Sequence, residues 1–185
     1  MRTLVASLAA LLLCGCADFW ELNSQNPAIK LPPADPSEYA PYEKPGTGSI
    51  SGQAFLVTTS GDAKKAAGKD ITCDPATSIA RRWWNEAKVY QKISPRLPDD
   101  PKFLAMRKTV TGDAEGKFTF DNLPAGDYLI RTTIEWEPLH CGEPGYGYCS
   151  RQAGAVGGLV HLNAGEKKSV IFGKDATALG EPAKK

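Results

Sequence analysis

Apolar and polar residues alternate with a period of two in several short runs between residues 48 and 172, the signature of strands that bury one face. In the run GSISGQAFLV, Ile50, Ala54 and Leu56 fall on one side, so residues 48–57 are predicted as a strand. Residues 69–74 and 106–111 are predicted as two more. The stretch TGDAEGKFTFDNLPAGDY carries its own punctuation: Asp113-Ala114-Glu115-Gly116 makes a turn, Phe118 and Phe120 point together into a core, and Asn122-Leu123-Pro124-Ala125-Gly126 makes a second turn. Beyond it Tyr128, Ile130, Thr132, Ile134 and Trp136 share one face, and Leu129, Arg131, Thr133 and Glu135 share the other. Residues 155–162 and 167–172 close the pattern, joined by Asn163-Ala164-Gly165-Glu166, which has hairpin chemistry. Seven strands at this spacing predict an all-β, antiparallel sandwich.

Two segments break the alternation. In residues 75–101, Ser78 is placed to cap a helix whose Ile79, Trp83, Ala87 and Tyr90 share a face, with Trp84 at its border; Pro95, Pro98 and Pro101 are expected to end it. The sandwich therefore carries a short helical insert between early strands. Residues 17–47 hold Pro27, Pro32, Pro33, Pro36, Pro41 and Pro45 with no apolar period, and are expected to act as a tether. Its reach would be up to ~90 Å as polyproline and roughly 30 Å as a coil.

The amino-terminal run MRTLVASLAALLLCGC has one Arg and an apolar stretch far short of the ~20 residues that span a bilayer, so it reads as an export signal. Leu13-Cys14-Gly15-Cys16 resembles the lipobox of bacterial lipoproteins. That resemblance implies cleavage before Cys16, diacylglycerol on its thiol and, with Ala17 rather than Asp following, an outer-membrane location facing the periplasm. The expected plan is a signal peptide at 1–15, a lipidated Cys and Pro-rich tether at 16–47, a sandwich at 48–174 and a flexible tail at 175–185.

The segments GSISGQAF, TGDAEGKFTFDNLPAGDYLIR and GLVHLNAGEKKSVIF together resemble the carboxypeptidase-regulatory-like, prealbumin-like β-sandwich domains. The most specific part covers residues 112–128, where Asp113, Gly116, Phe118, Phe120, Leu123, Pro124, Gly126 and Tyr128 fall on the family's pattern. The resemblance implies a seven-stranded antiparallel sandwich in which these residues are scaffold: glycines for special backbone angles, aromatics for the core. The insert at 76–104 is longer than that minimal fold needs, and fold resemblance by itself assigns no function.

Charge narrows the partners. Lys and Arg number 22 against 21 Asp and Glu, so the chain lacks the basic excess of a nucleic-acid footprint. Loss of residues 1–15 removes only Arg2 and leaves a neutral balance. With Cys14 removed and Cys16 acylated, Cys73, Cys141 and Cys149 would face an oxidising compartment. Cys73 shares a face with Ile71 inside the sandwich. Cys141 and Cys149 flank a Gly-rich loop and are expected to pair, worth ~2.5 kcal/mol for so short a loop; the rival arrangement bonds Cys73 to one of them.

Chemistry is sparse. Relatives of the prealbumin-like fold with enzyme activity, such as the hydroxyisourate hydrolases, rely on several His and Arg residues and a Tyr-Arg-Gly-Ser end, whereas this chain has His140 and His161 and ends in Gly-Glu-Pro-Ala-Lys-Lys. His140, Cys141 and Cys149 lack the paired short spacing of zinc modules, so no metal or cofactor is expected. No Ser-His-Asp order, nucleophile elbow, phosphate loop or HExxH occurs. Asp113 and Glu115 read as turn residues rather than cation ligands, and Asp99-Asp100 as a solvated turn. The aromatics carry the remaining signal: Trp84, Tyr146 and Tyr148 are candidates for a surface that stacks on sugars or peptides, while Trp83 is expected in the core; the competing reading gives all of them to burial. The function expected is a non-enzymatic envelope lipoprotein that binds a protein or glycan partner, or acts as a spacer. The alternative is an envelope hydrolase using His140 or His161.

Overall fold

The computed structural model describes residues 31–58, 60–90, 100–137 and 152–175. It is mostly β, with two sheets packed face to face and helices on the outer side of one of them. Strand β1 (Gly48–Val57) is central in the first sheet. On one side it pairs antiparallel with β5 (Lys117–Leu123) along its first half and with the three-residue β2 (Ala63–Lys65) along its second. On the other side β8 (Lys167–Asp175) runs parallel to it from Ser49↔Lys167 to Val57↔Asp175. The second sheet is antiparallel throughout, in the order β4 (Lys108–Thr111), β3 (Asp70–Pro75), β6 (Gly126–Trp136) and β7 (Gln152–Leu162).

The two-sheet, mostly β expectation therefore holds, while three details are corrected. There are eight strands among the described residues rather than seven, because the short AKK segment of β2 pairs with β1 without any apolar alternation of its own. The sandwich is not antiparallel throughout. Asn163-Ala164-Gly165-Glu166 does form a tight turn, with Glu166 N–H donating to the Asn163 carbonyl and Gly165 at φ 72°, but it delivers β8 to the other sheet instead of closing a hairpin with β7.

Between the sheets, Ile50, Leu56, Ile71, Cys73, Phe118, Phe120, Tyr128, Ile130, Ile134 and Leu162 make one continuous core. On the second face of β6 Leu129 is buried as well, because it lies under helix α1 (Ser78–Tyr90) and helix α2 (Pro101–Met106) in a cluster with Ile79, Ala80, Trp83, Trp84 and Phe103, while Thr133 and Glu135 further along that face are exposed. Pro101 thus opens a helix rather than ending one, as its fixed φ and missing N–H suit the first helical turn. Asp100 is its N-cap, accepting from Lys102 N–H at 2.9 Å and Phe103 N–H at 3.2 Å, and it is buried, not a solvated turn residue.

The tether also needs correcting. Residues 34–43 belong to the folded body: a 3₁₀ helix at Pro36–Tyr42, capped by Asp35, inserts Tyr39 beside Phe103 in the outer cluster with 1% of its surface exposed. Tyr39 hydroxyl donates to Asp100 Oδ2 at 3.0 Å, and Ala34 N–H donates to the same oxygen at 3.4 Å. Glu38 reaches the start of α1, accepting from Ser78 N–H at 2.6 Å and from its hydroxyl at 2.7 Å, where a negative charge is favoured by the helix dipole. No helix among the described residues is long and apolar enough to cross a membrane.

Candidate functional site

The segment that leaves the 3₁₀ helix passes over the open side of the sandwich and walls a pocket there. Two close approaches hold it down. A Cβ on Gly46 would lie 2.2 Å from the Leu123 carbonyl oxygen, and one on Gly126 would lie 2.7 Å from the Tyr42 ring, so both positions have room only for hydrogen. Tyr42 hydroxyl donates to the Asp127 carbonyl at 3.0 Å while Asp127 N–H donates back to it at 3.1 Å. Its ring meets Tyr128 edge to face, centroids 5.4 Å apart.

Opposite this wall the register of β1 and β5 slips. Gly48 pairs with Leu123 and Ile50 with Phe120, so Asp121 and Asn122 together oppose Ser49 in a β-bulge, and Asn122 takes φ 57°. Lys108, on the neighbouring edge strand β4, donates across the gap to the carbonyls of Asp121 and Asn122 at 3.3 and 3.4 Å. The pocket, open to solvent on one side, measures about 300 Å³. Buried Cys73, Leu123 and Tyr128 form its inner lining, Tyr42 and Met106 are apolar walls, and Glu43, Lys44, Lys108 and Asn122 are exposed polar groups on it.

The titratable groups on the lining are shifted by burial and by pairing. Burial pushes the Cys73 thiol and the Tyr128 hydroxyl well up, and that of Tyr42 up as well, so all three are neutral at physiological pH. The hydrogen bond from Lys102, 2.8 Å away, holds the Glu43 carboxyl below its ordinary range. An apolar recess with a few polar groups at its edge is the general form of a small-ligand site.

Two charged clusters lie elsewhere. Asp74, with no exposed surface, receives a two-pronged pair from Arg107 at 2.7 and 2.8 Å, and Arg131 Nε stands 4.0 Å from it. Arg131 stacks over Trp83 at 4.2 Å; burial and then the neighbouring Arg107 bring its pKa down to about 10. This cluster fastens α1 and α2 to the sheet. On the surface, Asp127 joins His161 Nδ1 at 2.7 Å and Arg81 at 2.6 Å, linking β6, β7 and α1. His161 has 63% of its side chain exposed and does not line the pocket; its partners among the described residues, Asp127 and Lys168, include no nucleophile.

Of the residues singled out from the sequence, Cys16, His140, Cys141, Tyr146, Tyr148 and Cys149 lie outside the described residues. Trp84 is corrected: only 3% of it is exposed, because the cluster that includes Tyr39 and Phe103 closes over the helix, so its ring belongs to the core like that of Trp83. Cys73 is a buried free thiol. Among the described residues no group of three or more His, Cys, Asp or Glu is placed to hold a metal ion. The pocket residues Tyr42, Lys44, Lys108 and Asn122 were not visible as a set, since they come from segments far apart in the chain. The one local signal was Asn122 in the turn sequence DNLPAG, a residue type that tolerates positive φ.

No family model matches the chain, and no curated protein does. Among solved structures, it is similar to a Pseudomonas aeruginosa protein provisionally described as carbohydrate binding, with 26% identity and a TM-score of 0.66 over 78% of this chain and 99% of that one.

Proposed function

We propose that the chain is a non-enzymatic glycan-binding module of the bacterial envelope, held to the outer membrane on its periplasmic side by acyl chains on Cys16. The observation that carries the glycan reading is the Tyr42–Tyr128 pocket, whose volume of about 300 Å³ suits a small unit such as one sugar ring. Its aromatic wall offers a surface for the apolar face of a sugar, and its rim offers polar partners. The carbohydrate-binding description of the similar P. aeruginosa protein supports the same reading. Glycoside hydrolysis in most families needs two carboxyl groups flanking the bond, and the pocket supplies only Glu43, which Lys102 already holds.

The carboxypeptidase-regulatory-like resemblance, a Cys141–Cys149 disulfide, and a second contact surface at Tyr146 and Tyr148 are parts of the same proposal. Amide chemical-shift mapping against a panel of neutral and acidic oligosaccharides tests it. Shifts clustered at Tyr42, Lys108 and Asn122 are expected. Saturable shifts confined to other surfaces, or none with any saccharide, would overturn the pocket as the glycan site.

A further inference from the structure

The polar groups of the pocket are not evenly available to a ligand. Tyr128 hydroxyl is committed to the Pro124 carbonyl at 2.7 Å and Tyr42 hydroxyl to Asp127, so the two aromatic residues present rings rather than hydroxyls. The Glu43 carboxylate is neutralised from outside by Lys102, which does not line the pocket. Two cations remain on the lining, Lys44 and Lys108, both on exposed positions, and neither has a carboxylate at ion-pair distance among the described residues. Lys108 lies over the neutral carbonyls of the β5 bulge at long hydrogen-bond distances, which uses two of the three N–H donors of an ammonium group. A neutral sugar would find an aromatic wall with the Asn122 amide and ammonium donors at the rim, none of them making a charge-to-charge contact with it. A sugar bearing a carboxylate would find two unpaired ammonium groups beside that wall.

We infer, resting on the glycan reading above, that the ligand of this pocket is an acidic saccharide of the uronic-acid class, its ring against Tyr42 and its carboxylate on Lys44 and Lys108. The Lys108 contact with the bulge carbonyls holds that cation where β4 faces β5, so the bulge helps to position a charge in the pocket.

The test is a calorimetric titration of the full chain in detergent with tetragalacturonate and with maltotetraose. Tetragalacturonate is expected to bind more tightly by at least about tenfold, as charge-assisted hydrogen bonds allow, and to weaken as salt is raised. Lys108→Ala and Lys44→Ala should each weaken it on the order of tenfold, and Lys108→Arg should restore most of the loss. Both lysines are exposed, so a thermal melt of each variant should match the parent and separate lost binding from lost fold. Equal binding of the two oligosaccharides, or tetragalacturonate binding untouched in both alanine variants, overturns the acidic class and leaves glycan binding standing. Displacement of tetragalacturonate by inorganic sulfate at equal concentration would show a simple anion site and overturn the saccharide part. Binding of neither oligosaccharide counts against both readings.

Discussion

Asp100 shows how much one side chain holds. Burial acts to raise its carboxyl pKa, but the N–H groups of Phe103, Ala34 and Lys102 and the Tyr39 hydroxyl outweigh that and hold it below the ordinary carboxylate value. It caps α2 and ties down the amino-terminal segment with the same two oxygens. Asp100→Ala removes the cap and strands a buried hydroxyl, so a loss of about 2–4 kcal/mol is expected in urea unfolding. Because the folded pKa lies below the unfolded one, near ~3.9, this stabilisation is present above that value and drains as pH falls through the folded pKa. The gap between parent and variant should close in acid; a gap constant down to about pH 2 would mean that the charge is not what anchors the segment. Trp84 gives a second expectation at this scale. As an accessible aromatic, its loss would leave melting unchanged; as a buried one, Trp84→Ala should cost about 3–5 kcal/mol. Equal melting of parent and variant would restore it to the surface.

At the scale of elements, legibility followed the way each element is stabilised. β1, β3, β5 and β6 bury one face against the opposite sheet, so their alternation was written in the chain, and Phe118 and Phe120 sit where that alternation put them. β2 is held by backbone pairing with β1 and a surface ion pair of Lys65 with Glu115, neither of which leaves a pattern to read. The parallel course of β8 was illegible for another reason: turn residues 163–166 specify a local reversal but not which sheet receives the next strand. Residues 34–43 looked like a tether because their attachment is made by Tyr39, Ala34 and Glu38 singly, with no repeating stripe, and prolines there start a 3₁₀ helix as readily as they extend a linker. The pocket shared that obscurity, being assembled from the 42–45 segment, β3, the α2–β4 junction and the β5 bulge. A chain beginning at Gly48, the boundary the sequence suggested, should therefore fold poorly. It lacks Tyr39 over Phe103 and Glu38 at Ser78, and its melting temperature should fall by roughly 10–20 °C relative to a chain beginning at Leu31, from a loss of about 3–5 kcal/mol. Identical melts would return the segment to the status of a linker.

For the whole molecule, docking of residues 34–43 changes the geometry of the proposed membrane attachment. The stretch available to separate an acylated Cys16 from the folded body shrinks from residues 17–47 to at most 17–33, and its greatest reach, at ~3.1 Å per residue, falls from ~90 Å to about 50 Å. The pocket is walled by residues 42–45, directly after the docked segment, so its distance from the lipid in the proposed arrangement is bounded by that shorter reach plus the span of the docked segment. The proposed attachment would rest on Cys16, because a single acyl chain holds a protein only marginally whereas diacylglycerol and a further chain, at ~0.8 kcal/mol per buried CH₂, hold it stably. Cys16→Ser should abolish incorporation of a fatty-acid probe and move the protein from the membrane pellet to the soluble fraction. Cys73→Ser should leave both unchanged, since that thiol lies inside the sandwich with its pKa raised by burial. Labelling that survives Cys16→Ser but is lost in Cys14→Ser would move the anchor by two residues; labelling that survives the double variant would remove the lipid from the proposal, and with it the bound on where the pocket stands.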